Sequence, residues 1–201
     1  MIAIIDYGAG NIKSLQFALN KVGLSSVVTT ESNVVQESKA IILPGVGAFN
    51  DAMEAIRSLG LAKILKEEAA NGKPLLGICL GMQLFYETSY EDGRWEGLGL
   101  LKGAVSRITG NVKVPHIGWN TLDQHGNNAI LRSINPEAYA YFVHSYAVTD
   151  YENQSLVAST LYGGTIPAVV QDKNITGMQF HPEKSGAVGL QLLKNFGEMI
   201  R

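Results

Sequence analysis

Pro74-Leu75-Leu76-Gly77-Ile78-Cys79-Leu80-Gly81 reads as a short apolar strand that turns at Cys79 into a helix. Glycines two residues to either side of a potential nucleophile, at a strand-to-helix junction, have the form of a nucleophile elbow. The reason is steric: a bulky side chain at position 77 or 81 would collide with the neighbouring strand and helix. Upstream of the elbow the same strand-loop-helix unit recurs. Ile2–Asp6 is an apolar run ending at Gly8-Ala9-Gly10-Asn11, with a helical pattern from Ile12 to Val22. Val27–Thr30 and Ala40–Leu43 read as a second and a third strand, the third stopped by Pro44-Gly45-Val46-Gly47. Helical patterns cover Phe49–Arg57 and Leu61–Ala70, the latter ended by Asn71-Gly72. Buried strands alternating with helices predict a parallel sheet covered on both faces.

Beyond about Gly97 the texture changes. Short β-like runs dominate: Ala104–Ile108, Tyr139–Val148, Leu156–Ser159, Ala168–Gln171 and Ile175–Phe180, before a final amphipathic helix over Ala187–Ile200. No stretch is long enough to act as an interdomain linker. The expectation is a single α/β domain over residues 1–201, with a mixed, mostly parallel central sheet flanked by helices and a smaller antiparallel extension.

Composition narrows the function. Hydrophobic residues make up 46% of the chain and charged residues 17%, which excludes a disordered chain or a long coiled coil. Lys and Arg number 16 against 18 Asp and Glu, so no basic excess remains for a phosphate backbone, and no nucleic-acid partner is expected. No apolar run approaches the ~20 residues that span a bilayer, and the N-terminus lacks the basic region of a signal peptide. With a single cysteine, Cys79, there is no intrachain disulfide. A cytoplasmic protein with no membrane association is expected. One Cys and scattered His give no ligand spacing, so neither a metal nor a cofactor is expected.

At an elbow, Cys79 stands at a helix N-terminus, where the dipole and free N–H groups favour the reactive thiolate. The Leu80 N–H is then one half of an oxyanion hole. The competing reading is a buried structural cysteine between two packing glycines. A thiol nucleophile needs a base and something to orient it. Of four histidines, His125 lies in the polar turn Asp123-Gln124-His125-Gly126-Asn127, His144 sits inside a strand as a core or pocket-wall residue, and His116 stays ambiguous. His181 ends the run Ile175–Phe180 and precedes Pro182-Glu183. On an extended chain residues i and i+2 face the same way, so Glu183 can lie beside the His181 ring, and Pro182 biases His181 towards that conformation. A solvated His-Pro-Glu turn is the alternative. Gly8-Ala9-Gly10 fails the dinucleotide fingerprint because Lys13 stands where the third glycine belongs. The glycines of Pro44–Gly47 permit a peptide flip that would supply the second oxyanion donor.

Taken in order, Pro44-Gly45-Val46-Gly47, Gly77-Ile78-Cys79-Leu80-Gly81-Met82-Gln83 and His181-Pro182-Glu183 resemble the class I (triad) glutamine amidotransferases. Within that family, Asp6–Asn11, Pro115–Asn120, Tyr141–Tyr146 and Gln179–Ser185 look most like the glutaminase subunits that hand ammonia to a (β/α)8-barrel cyclase in histidine biosynthesis. The resemblance covers nearly the whole chain. It implies that Cys79 attacks the glutamine side-chain amide, with His181 as acid and base and Glu183 orienting it. The backbone of Val46 and Leu80 would form the oxyanion hole. Gly47, Gln83, His144, Ser145 and Tyr146 would surround glutamine, and Trp119, Asn120, Tyr139, Tyr141 and Lys184 would face the cyclase in a heterodimer. Three other functions share parts of this pattern: a paralogous ammonia donor for a sugar-modifying synthase, a cysteine hydrolase with the same elbow, and a non-catalytic binding subunit.

Overall fold

The computed structural model describes residues 1–200; Arg201, the last residue of the expected domain, lies outside them. The N-terminal half alternates as the apolar runs require. β1 (Ile2–Ile5), α1 (Ile12–Lys21), β2 (Ser26–Thr29), α2 (Ser32–Glu37) and β3 (Ala40–Leu43) are followed by the helices α3 (Phe49–Ser58) and α4 (Leu61–Ala70). Then come β4 (Leu75–Ile78) and the single turn α5 (Leu80–Gln83). Asn11 starts α1 by accepting from the Ser14 N–H at 3.4 Å. Gly60, in the left-handed region, lets α3 reverse directly into α4.

The C-terminal half contains β5 (Tyr86–Ser89), β6 (Trp95–Glu96), β7 (Leu101–Arg107), β8 (His116–Thr121), β9 (Asp123–Gln124), β10 (Tyr139–His144) and β11 (Tyr146–Tyr151). β12 (Leu156–Leu161), β13 (Thr165–Asp172), β14 (Ile175–Met178) and α6 (Gly186–Glu198) complete it. The main sheet has eight strands in the order β2-β1-β3-β4-β14-β13-β12-β9. β2, β1, β3, β4 and β14 run parallel, and β13, β12 and β9 extend the sheet antiparallel.

The unbroken apolar runs of the central strands have a plain cause: both faces are covered. Ile2, Ile4, Ile42 and Leu76 point to the layer that contains Leu15 and Leu19 of α1 and Leu192 and Phe196 of α6. Ala3, Ile5, Ile41 and Leu75 point the other way, against Phe49 and Met53 of α3 and Leu61 and Leu65 of α4.

The antiparallel extension is divided rather than continuous. Part of it edges the main sheet; β10-β8 and β11-β7-β5-β6 form two further sheets, the second of them mixed because β7 and β5 run parallel. The apolar run Tyr139–Val148 is therefore not one strand. It breaks at Ser145, where the inward alternation of Ala140, Phe142 and His144 gives way to buried Ala147 and Val148. The Ser145 carbonyl at the break accepts from the Ile108 N–H at 2.9 Å. α2, β5, β6, β8 and β9 are not foreshadowed by apolar periodicity, being short or half exposed.

The elbow glycines are imposed by close approach. A Cβ at Gly81 would run into the Leu43 carbonyl of β3, and one at Gly77 would lie 2.6 Å from the Phe85 ring and 2.7 Å from the Met82 Cα. Gly81→Ala should therefore lower the unfolding free energy by at least about 2 kcal/mol in urea titration. Gly164→Ala, where an added Cβ meets nothing within 4 Å, should stay within about 0.5 kcal/mol of the unaltered chain.

Candidate active site

β3, β4 and β14 lie side by side and run parallel, so the segments leaving their carboxyl ends emerge together. Those segments are Pro44–Gly47, Cys79 and His181. Cys79 adopts φ 54°, ψ −111°, a left-handed backbone that costs a side-chain-bearing residue about 1–3 kcal/mol. Its N–H donates to the Met178 carbonyl of β14 at 2.7 Å, so the strained turn is tied to the strand that delivers His181. Cys79 is buried, its sulfur 3.8 Å from the Val143 carbonyl and 3.8 Å from Gln179 Nε2.

His181 Nδ1 lies 2.9 Å from Glu183 Oε1, and both side chains are almost fully buried. On the far side of the ring, Nε2 is buried without a partner of standard hydrogen-bond geometry, and Cys79 is the ionisable neighbour there. Burial alone would depress the His181 pKa. The adjoining Cys79 and Glu183 outweigh it and push the value up to about 9. The His181 N–H donates to the Tyr141 carbonyl at 3.0 Å, and Ser185 Oγ donates to the His181 carbonyl at 2.7 Å while accepting from the Tyr141 N–H at 2.9 Å. The histidine is thus fastened to β10 at several points. A sulfur, an imidazole and a carboxylate held in this order are equipped for nucleophilic acyl transfer.

A cavity of about 330 Å³ opens beside Cys79. Val46, Gly47, Leu80, Gln83, His144, Ser145 and Tyr146 all line it, so every expected oxyanion and substrate position meets here. His181 and Glu183 line a small neighbouring cleft together with Gly45 and Ile78. Gly47, at φ 106°, takes a backbone conformation that side-chain-bearing residues rarely adopt.

Three residues escape a reading from spacing. Gln179 is wholly buried and accepts from Gln83 Nε2 at 3.0 Å, which directs its own amide N–H at the Cys79 sulfur. Its position two residues before His181, on the same strand face, is the signal that would have found it. Glu91 lines the cavity with one oxygen anchored on the Phe49 N–H at 2.8 Å. Burial raises its pKa, against the effect of that N–H. Tyr7 donates to the Pro44 carbonyl at 2.7 Å and packs over Gly45, steadying the loop after β3. Burial and the neighbouring Cys79 charge hold its phenol well above the ordinary value, so it remains a donor.

On the outer face of the β8–β10 ribbon, Trp119 is paired in register with Tyr141 and their rings meet edge to face at 5.9 Å. Tyr139 is 52% exposed, Trp119 56% and Ile117 61%. Lys184 is exposed nearby in chain order, after His181. Asn120 alternates to the opposite side, where its amide reaches the Leu161 carbonyl at 3.1 Å and His116 at 3.3 Å. His125 is exposed on β9's end and contacts Ser159 Oγ at 2.8 Å. No group of three His, Cys, Asp or Glu among the described residues is arranged to hold a metal.

Because the pKa of folded His181 exceeds its ordinary 6.5, its protonation favours the folded state. That contribution is fully present below pH 6.5 and disappears as pH rises through about 9. Glu183→Gln should move the His181 ring titration, followed by NMR, to lower pH and shrink this alkaline loss of stability. An unchanged titration would mean that Glu183 does not govern the ring.

The family model for glutamine amidotransferase class-I matches residues 3–199. The imidazole glycerol phosphate synthase subunit HisH of Oceanobacillus iheyensis is 64% identical over 201 residues, covering 100% of both chains. The same-named subunit of Caldanaerobacter subterraneus subsp. tengcongensis is 48% identical over 100% of this chain and 99% of its own. Among solved structures, a glutamine amidotransferase superposes with a TM-score of 0.78 at 18% identity over 98% of each chain. PurLQS from Thermotoga maritima superposes with a TM-score of 0.77 at 19% identity, covering 100% of this chain and 98% of that one; at such identities the likeness concerns the fold. With a full-length family match and an elbow cysteine beside a histidine–glutamate pair, the chain belongs to the class I glutamine amidotransferases.

Proposed function

We propose that the chain is the glutaminase subunit of an imidazole glycerol phosphate synthase. The observation that carries this reading is the Cys79 sulfur placed between a buried His181–Glu183 pair and a cavity of amino-acid size. The naming of the full-length relatives supports the pathway. The whole chain acts as one glutamine amidotransferase domain.

Glutamine enters with its side-chain amide against Cys79. The thiolate attacks the amide carbon, and charge passes to the carbonyl oxygen, which the N–H groups of Leu80 and Val46 stabilise. His181 gives its proton to the departing nitrogen; the C–N bond breaks, leaving a glutamyl thioester and ammonia. His181 then takes a proton from water, which attacks the thioester; the C–S bond breaks, releasing glutamate and restoring the Cys79 thiolate beside protonated His181. Glu183 holds the ring's orientation and charge throughout. Gln83, Gly47, His144, Ser145 and Tyr146 bind the rest of the substrate, and the Glu91 carboxylate complements its ammonium group.

Ammonia released into water is protonated and lost as a nucleophile, so it must pass directly to its consumer. The partner is a (β/α)8-barrel cyclase, which turns the ammonia into imidazole glycerol phosphate and AICAR. It docks on the aromatic face formed by Trp119, Tyr139 and Tyr141, with Lys184 at its border and Asn120 behind it, on the opposite side of the ribbon; Trp and Tyr of this kind commonly anchor interfaces. Near the end of the ribbon the Val143 carbonyl lies 3.8 Å from the Cys79 sulfur, so the docked ribbon adjoins the reaction centre. The pair works in the cytoplasm and needs no cofactor.

Cys79→Ser should abolish glutamine-dependent synthesis by the complex while synthesis from added ammonium salts continues; normal use of glutamine by this variant would reject the assignment. Trp119→Ala combined with Tyr139→Ala should weaken binding to the cyclase at least tenfold by calorimetry. Unchanged affinity would place the interface elsewhere.

A further inference from the structure

His116 and His144 form a buried pair; His144 lines the substrate cavity, while the steps above give His116 no role. His116 Nδ1 lies 3.1 Å from His144 Nε2, and His144 Nδ1 lies 2.9 Å from the Tyr146 carbonyl. A carbonyl only accepts, so His144 carries its proton on Nδ1, and its Nε2 is an acceptor in the neutral ring. His116 must then donate from Nδ1, which leaves its Nε2 to accept from Asn120 Nδ2 at 3.3 Å. One direction of donation runs from Asn120 through both rings to the Tyr146 carbonyl. Burial pushes both pKa values down to about 4, which keeps the rings neutral and the line intact.

The acceptor at the end of this line is a junction. The Tyr146 carbonyl also accepts from Gln83 Nε2 at 2.8 Å. His144, Ser145 and Tyr146 together make the cavity wall at the break between β10 and β11. The Ile108 N–H holds the Ser145 carbonyl at the break, whereas the Tyr146 carbonyl takes side-chain donors, His144 and Gln83, so the orientation of those two side chains in the wall depends on it. The His116 ring is itself clamped between Tyr162, at 3.9 Å and 16°, and Phe142, at 4.9 Å and 19°. It is fixed in plane and cannot turn to another partner at low cost.

We propose that His116 is a positioning residue for glutamine binding: its Nδ1–H locks the His144 tautomer and thereby fixes the His144 ring and its bond to the Tyr146 carbonyl in the cavity wall. Without that donor, His144 Nε2 is left buried and unpaired, the ring loses its reason to keep Nδ1 protonated, and the Tyr146 carbonyl loses a fixed partner. The main chain of Cys79 and the His181–Glu183 pair are held by separate bonds, to β14 and β10, and keep their places. The effect therefore falls on substrate binding rather than on bond breaking. This inference rests on the reading of the cavity as the glutamine site.

Two substitutions separate the polar role from packing. His116→Phe keeps a ring between Tyr162 and Phe142 and removes the donor; His116→Asn offers an amide N–H where Nδ1 stood and gives up the ring. For glutamine hydrolysis by the chain paired with its cyclase, His116→Phe should raise KM about five- to tenfold, as loss of one buried hydrogen bond implies, with kcat within twofold. His116→Asn should return KM to within about twofold of the unaltered complex. A KM unmoved in His116→Phe, or equally raised in both variants, overturns the proposal, as does a fall in kcat alone. Nitrogen-15 spectra of the unaltered chain supply a readout independent of either variant's folding. Nδ1-protonated tautomers at both rings are expected, and an Nε2-protonated His116 overturns the line of donation. Should the unaltered complex fail to hydrolyse glutamine, the glutaminase reading falls, while the spectra still judge the His116–His144 bond.

Discussion

The site depends on three adjacent parallel strands delivering three short segments to one end of the sheet. β3, β4 and β14 are neighbours in register, with Leu43, Gly77 and Gly177 side by side. The turn that follows β4 leaves no room for Cβ atoms, against the Phe85 ring and the Met82 backbone at position 77 and against the Leu43 carbonyl of β3 at position 81, which is why glycine stands at both. Cys79 in turn is forced into a left-handed backbone that only surrounding structure can sustain. Two main-chain bonds hold it, one to Met178 and one from Gln83 to its own carbonyl. The strained residue is anchored by the same strand that carries His181, so nucleophile and histidine move as one body.

Around this anchor, three buried histidines meet opposite electrostatic fates within one region. His181 faces a carboxylate and a thiol, both of which favour its charged form, and they overcome the cost of burial. His116 and His144 face each other, a backbone carbonyl and aromatic rings, and burial keeps them neutral. The difference lies in neighbours rather than depth: the residues are buried to 3%, 3% and 6% exposure respectively. A charged ring suits proton delivery to a departing amine, whereas a neutral ring with a fixed tautomer suits the direction of a hydrogen bond.

Polar groups inside the site are arranged so that each orientation follows from an immovable acceptor. The Tyr146 carbonyl dictates the amide orientation of Gln83, which dictates that of Gln179, which turns an N–H towards the sulfur. The same carbonyl sets the tautomer of His144. Backbone geometry at a single strand break therefore sets side-chain chemistry on both sides of the cavity.

The parallel half of the fold was legible along the chain because strands covered on both faces must be apolar at every position, and Ile2–Ile5, Ala40–Leu43 and Leu75–Ile78 are. The elbow was legible because a steric demand leaves glycines at fixed offsets. The His181–Glu183 pair was legible because two residues on an extended backbone point the same way. Folding decided what depends on long-range approach. The break at Ser145 splits one apolar run between two sheets, since each half finds a different partner strand. Gln179, Glu91 and Tyr7 enter the site through contacts across 37 to 100 positions of chain, which no local pattern encodes. His116, which looked ambiguous in its own segment, acquires direction only where the Tyr146 carbonyl, itself fixed by the sheets, requires a donor upstream.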